Sequence, residues 1–469
     1  MVLEGVRPER VLYYFEQLCG IPHGSGDTKA ISDWCMEFAK NHGLDAYQDE
    51  LNNVIIYKGA SVGKENAPTV ILQGHLDMVC EKDADIEFDF TKDSLRLVVE
   101  GDLIKAKGTT LGGDDGIAVA MALAVLEDDT LAHPPLEVLF TVDEETGMYG
   151  AAALDGSRLK GRTLINIDSE EEGVLTVGCA GGMRADISLE MIPTALTAPC
   201  YRIVIDGLAG GHSGVEIHKG RHNANKLMGE LLARLEDCQL IDVSGGQKDN
   251  VICPRCEARV STRADVSAIA ADFVQQKKIA ADPNLFVTVT EEMGEVVGYD
   301  SISTAAAVTM LCDLPCGVQK MSEDIEGLVQ TSLNLGVMKM ENDVLQVSFS
   351  LRSSVAAEKE ALLQKLIAIA NVHGARVETR GDYPAWEYRK ESPLREIMVE
   401  IYKRLYGKAP RVEIIHAGLE CGLLGEKLPD IDAVSIGPQM WDIHSPRERL
   451  SIASVERTYT YLCEILKEL

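Results

Sequence analysis

Cysteine is scarce, cationic residues are outnumbered and long apolar runs are missing from this chain of 469 residues. Twelve cysteines spread over that length are too sparse for a disulfide framework, which points to a reducing, cytoplasmic setting. One close pair, Cys253-Pro-Arg-Cys256, resembles half a zinc knuckle, but no second pair lies at suitable spacing. Buried free thiols are the expectation there. The opening MVLEGVRPERVLYYF has no charged region followed by an apolar one, so no signal peptide is expected. No run of about 18 apolar residues exists, so no membrane span is expected. Lys plus Arg number 45 against 74 Asp plus Glu, a formal net charge of −29. That balance argues against nucleic acid or an anionic membrane as partner, because both need a basic face.

What is present is a scattered set of acids and imidazoles, most of them at the ends of short apolar runs. VILQG precedes His75, LEVLFTVD precedes Glu144, LINI precedes Asp168 and AVSIG comes shortly before His444. Gathering like charges at one sheet edge is unfavourable unless a cation neutralises them. Two imidazoles among carboxylates favour a borderline-soft divalent ion, zinc before calcium or magnesium.

The chain is too long for one core. Its first part alternates strands, read as continuous apolar runs, with helices. This predicts an α/β fold: a mostly parallel sheet with helices on both faces. Ligand sites in such sheets lie beyond the carboxyl ends of the strands, where these acids fall. From about residue 199 the texture changes, and the order strand–strand–helix–strand recurs, with CEARVSTRAD matching VSFSLRSSV. The expected organisation is a discontinuous catalytic domain (1–198 and 384–469) interrupted by an inserted α+β lid domain (199–383) with two related halves.

Residue types suggest roles. His75 and Asp77 are two apart at a strand end, so the carboxylate can orient a metal-bound imidazole. In Gly112-Gly113-Asp114-Asp115, one aspartate can bridge two cations while the other anchors the loop. Adjacent Glu144 and Glu145 point in opposite directions, so one can bind metal while its neighbour serves as base.

With these residues in place, GHLDMVCEKD, TLGGDDGIA, TVDEETGMYGA, LINIDSEEEG, GGHSG, HAGLECG and IHSPRERLSI together resemble the co-catalytic di-zinc metallopeptidases related to aminoacylase and carboxypeptidase G. Within them the chain is similar to the aminoacyl-histidine dipeptidases, the Xaa-His or carnosinase-type cytosolic enzymes. The resemblance covers essentially the whole chain. It implies two divalent ions per chain, zinc first with cobalt or manganese possible. His75, Asp114 and Asp168 would hold one; Asp114, Glu145 and His444 the other. Glu144 would be the general base and Asp77 the partner of His75. It also implies a cis Asp114–Asp115 peptide and substrate-binding roles for His212, Asn334, Arg352 and Glu420. His212 would polarise the scissile carbonyl, Arg352 would capture a C-terminal carboxylate and Glu420 would receive the amino group. Where the family usually carries Lys two positions after the bridging Asp, this chain has Gly116. The activity implied is metal-dependent dipeptide hydrolysis, with an N-acyl-amino-acid deacylase as the alternative. Either a monomer or a homodimer is compatible. With a doubled lid, His212, Asn334 and Arg352 are expected to serve the metals of their own chain.

Overall fold

In a computed structural model, residues 1–293, 297–323, 325 and 327–469 are described, and they form two compact units. The first comprises Met1–Gly178, Tyr388–Ile414 and Leu419–Leu469. Its main sheet has eight strands, of which the central four are parallel: Leu136–Thr141, Val70–His75, Thr163–Asn166 and Asp432–Ser435 in spatial order. Val70–His75 and Leu136–Thr141 are buried at every position, which is why they read as unbroken apolar runs. Antiparallel neighbours flank this parallel core, Val54–Lys58 on one side and Val174–Cys179 on the other. The helix Gly113–Glu127 packs against Val70–His75 and the helix Glu9–Cys19, and its residues Gly116–Leu126 are all buried. Such a helix shows no amphipathic stripe, because every face meets protein. No described helix is long and apolar enough to cross a membrane.

The second unit comprises Cys179–Glu387 and Ile415–Gly418 and is built on a nine-stranded antiparallel sheet. Eight of its strands fall into two halves of identical topology. One half runs Cys200–Asp206, helix Ala224–Leu232, Gln239–Gly245, Cys256–Ser261, helix Val266–Lys277 and Phe286–Glu292. The other runs Gly181–Glu190, helix Ser301–Asp313, Val329–Glu341, Val344–Ser353, helix Ala356–Val372 and Arg376–Tyr383. In each, the first strand lies between the last strand and the second of the two middle strands, Cys256–Ser261 in one half and Val344–Ser353 in the other, and the halves meet where Ser244 and Gly245 pair with Lys339 and Met338. Cys256–Ser261 and Val344–Ser353 occupy equivalent places, as CEARVSTRAD and VSFSLRSSV suggest.

This topology moves the boundary expected at 199. Gly181–Glu190 is the first strand of the second half, yet it precedes the whole of the first half in sequence. It pairs with Val344–Ser353 over ten residues, so it belongs to this sheet. A partner more than 150 residues away leaves no local trace. None of the twelve cysteines is in a disulfide; Cys253 and Cys256 are fully buried, and Cys253 donates to the carbonyl of Arg255 at 3.0 Å.

Candidate metal centre

Three adjacent parallel strands of the first unit deliver the acids to one sheet edge. His75 ends Val70–His75, Glu144 and Glu145 follow Leu136–Thr141, and Asp168 follows Thr163–Asn166. Asp143 takes a left-handed φ of 56°, which turns the chain directly after its strand. Asp114 enters from the start of the helix Gly113–Glu127, where Asp114 and Asp115 are non-helical and their peptide bond is cis. His444 comes from the loop after Met440–Trp441, also in a left-handed conformation at φ 58°.

Asp114 faces both imidazoles. Its Oδ1 lies 3.2 Å from His75 Nε2 and its Oδ2 lies 3.1 Å from His444 Nε2. Asp168 Oδ1 is 3.6 Å from His75 Nε2, and Glu145 Oε1 is 2.9 Å from His444 Nε2. Asp114 thus stands between the two imidazoles, and His75, Asp114 and Glu145 lie close enough together to hold an ion. Asp115 turns the other way: its Oδ2 accepts from the backbone N–H of His75 at 3.2 Å, anchoring the loop to the strand. Only glycine fits at position 74 beside it, since a Cβ there would sit 2.5 Å from that oxygen and 2.8 Å from the Ala118 Cβ. His75, Asp115 and Asp168 nevertheless also lie close enough to hold an ion.

Asp77 organises its neighbours. His75 Nδ1 donates to the Asp77 carbonyl at 2.8 Å, with the Asp77 carboxylate 3.4 Å away, so Nε2 is the nitrogen left to face a metal. The same carboxylate accepts from Ser25 Oγ at 2.8 Å and from the N–H groups of Glu144 and Glu145. One side chain therefore sets both the ring of His75 and the turn carrying the adjacent glutamates.

Electrostatics say what the site can hold. Burial, with repulsion among the acids, raises Asp115, Asp168 and Glu145 above the usual carboxylate range. Burial pushes Glu144 up to about 8, with His75 opposing and Glu420 and Glu145 adding repulsion. Although burial disfavours its charge, His444 is pushed up to about 11 by Asp114 and Glu145. Among the described residues no Lys or Arg pairs with Asp114, Asp168 or Glu145. Imidazole and carboxylate donors with this unbalanced charge fit divalent cations.

Glu420, expected to receive a substrate amino group, has one oxygen engaged within the protein and the other, Oε1, buried without a partner. It is fully buried, and its Oε2 accepts from Gln73 Nε2 at 2.6 Å and Thr141 Oγ1 at 2.5 Å. Gln73 Oε1 in turn accepts from Asn166 Nδ2 at 2.6 Å, so Glu420 closes a polar network beneath the three strands.

In the second unit, Arg352 lies opposite Ser332 on the neighbouring strand and its Nη1 donates to Tyr383 Oη at 3.1 Å. Arg352 Nε is buried without a partner. His416 joins this cluster, its Nε2 2.7 Å from Ser332 Oγ and its Nδ1 buried without a partner. Burial and the Arg352 charge push His416 down to about 3. His212 Nδ1 accepts from the N–H groups of Gly214 and Val215, which places the proton of the neutral ring on Nε2 as a donor. Asn334 differs from its expected role. Its Nδ2 already donates to the carbonyls of Asp249 and Val251, and its Oδ1 accepts from Asn223. Val251 bridges to His212, so Asn334 holds the strand segment beside that histidine and has no free donor for a substrate. His416 and Tyr383 escaped sequence reading because a histidine in HAGLECG and a tyrosine before a proline carry no pattern of their own.

The His416 shift has a consequence for stability. The folded pKa lies below the unfolded value of roughly 6.5, so stability contributed by the neutral ring is lost as pH falls below that value. Between pH 7.5 and 5.5, urea unfolding should show wild type losing roughly 1 kcal/mol more than His416→Gln, which cannot titrate. Equal losses would mean that the ring is not buried neutral.

The full chain is 38% identical over 479 residues to the cytosol non-specific dipeptidase of Escherichia coli K12, covering 100% of this chain and 99% of that protein. The crystal structure of aminoacylhistidine dipeptidase from Vibrio alginolyticus superposes with a TM-score of 0.94 at 35% identity, over 100% of this chain and 98% of that one. The aminopeptidase PepT of Bacillus cereus shares the fold, with a TM-score of 0.59 at 16% identity over 99% of both chains. The model of peptidase family M20/M25/M40 matches residues 71–468, and the chain belongs to that family.

Proposed function

We propose that this protein is a metal-dependent dipeptidase whose two divalent ions are held by His75, Asp114 and Asp168 on one side and by Asp114, Glu145 and His444 on the other. The observation that carries this reading is the Asp114 carboxylate, with one oxygen toward each imidazole. Zinc suits the mixed imidazole and carboxylate set, with cobalt or manganese as substitutes. Such ions supply Lewis-acid activation of the attacking water and of the scissile carbonyl. Glu144 belongs to neither ligand group and is free to take the water's proton and return it to the leaving amine. Asp77 keeps His75 Nε2 aimed by fixing Nδ1. His212 contributes an Nε2–H donor toward the carbonyl oxygen as negative charge develops there. Arg352, with Nε unpartnered, captures the substrate's C-terminal carboxylate, and the neutral His416 beside it adds polarity without charge. The family, the full-length likeness to two dipeptidases and this geometry support the reading; a cytoplasmic location agrees with the E. coli relative's printed name.

A panel of unblocked dipeptides, including carnosine and Gly-His, against N-acyl amino acids tests it. Dipeptides with a free amino group should be the better substrates by kcat/KM. Preference for N-acyl amino acids would instead favour a deacylase. Arg352→Ala should raise KM for dipeptides roughly 10- to 100-fold, the size of a charged hydrogen-bond pair. A dipeptide amide, lacking the carboxylate, should lose far less; equal losses on both would place Arg352 elsewhere.

A further inference from the structure

One buried carboxylate outside the ligand set joins the two loops that meet at the candidate centre. Glu448 is 3% exposed and lies four residues after His444. Its Oε2 accepts from the N–H groups of Leu111 at 2.7 Å and Gly112 at 3.1 Å. Its Oε1 accepts from Gly113 at 2.8 Å and from Asp114 at 3.3 Å. Four consecutive backbone donors thus converge on one side chain, two on each oxygen. That arrangement suits a carboxylate, which only accepts, and not a carboxamide, half of which only donates.

The geometry points to Glu448 as a positioning residue that sets where Asp114 stands relative to His444. The segment 111–114 can wrap the carboxylate because Gly112 adopts a left-handed φ of 65°. At Gly113 a Cβ would sit 3.1 Å from Glu448 Oε1, closer than ordinary contact allows. The fourth donor is the backbone N–H of Asp114 itself, so the anchor acts directly on the shared ligand. On its own side, Glu448 donates its N–H to the Ser445 carbonyl at 3.0 Å and leads into the strand Arg449–Ser451. That strand pairs with Leu103–Ala106, which gives the anchor a fixed base. Two ligands 330 residues apart in sequence, Asp114 and His444, are therefore registered to one another through a single side chain. Sequence reading missed it because glutamate in IHSPRERLSI is one of 74 acids and reads as surface charge.

The inference rests on the reading of Asp114 and His444 as ligands, and a metal titration without peptide separates the two. Metal-stripped wild type and Glu448→Gln are titrated with Co(II), whose visible spectrum reports coordination geometry. Partners that orient metal ligands typically contribute 10- to 100-fold in metal affinity or activity. Glu448→Gln should therefore bind Co(II) about 10- to 100-fold more weakly with altered bands, and its kcat should fall similarly with little change in KM. Gly113→Ala keeps the glutamate but crowds Oε1, and it should shift affinity and spectrum in the same direction if Glu448→Gln does not fold. Wild-type spectrum and affinity in a folded variant, of either kind, would overturn the positioning role. Failure of wild type to bind Co(II) at all would overturn the ligand reading beneath it.

Discussion

Glu144→Gln is expected to keep both metals and lose roughly 10²- to 10⁴-fold or more in kcat, because the glutamine cannot accept the water's proton. Its backbone N–H still donates to Asp77 Oδ1, so the turn that places residues 144 and 145 should persist. Glu145→Gln should behave in the opposite sense. Glu145 faces His444 at 2.9 Å, and loss of its charge should weaken metal binding before it touches the intrinsic rate of the loaded enzyme. Metal content and steady-state kinetics on both variants decide the assignment. Retained activity in the metal-loaded Glu144→Gln protein, or exchanged phenotypes, would show that base and ligand are the other way round.

Chelation is expected to abolish peptidase activity, and addition of zinc, cobalt or manganese should restore it. The physical reason is the crowd of carboxylates at the sheet edge, whose charge is offset only by His75 and His444 among the described residues. Removing the cations should also lower the unfolding midpoint, since an ion that binds only the folded chain stabilises it by about 4 kcal/mol at a thousand times its Kd. Activity assays and thermal unfolding before and after dialysis against a chelator check both effects. Full activity in metal-free protein would end the metallopeptidase reading.

The strands that carry His75, Glu144 and Asp168 were legible because they are buried at nearly every position, and an acid or imidazole after such a run is conspicuous. Asp114 and His444 gained their meaning from the family resemblance, since a Gly-Gly-Asp-Asp turn and a lone histidine have bland local readings. The cis Asp114–Asp115 peptide also came from that resemblance, and the structure has it. Asn334 and Glu420 show what the sequence leaves out. A polar residue in a motif can contact a ligand or be spent inside the protein, and only the partners tell. Asn334 spends its donors on Asp249 and Val251, and Glu420 spends an oxygen on Gln73 and Thr141. The strand Gly181–Glu190 was assigned to the wrong side of the boundary because its pairing with Val344–Ser353 spans more than 150 residues.

The central claim is a pair of ions sharing Asp114, and anomalous scattering from zinc-loaded crystals tests it most directly. The account gives two peaks per chain, one beside His75 and Asp168, the other beside Glu145 and His444, with an oxygen of Asp114 on each. A single peak, or two peaks bridged by Asp115 with Asp114 turned away, would contradict it.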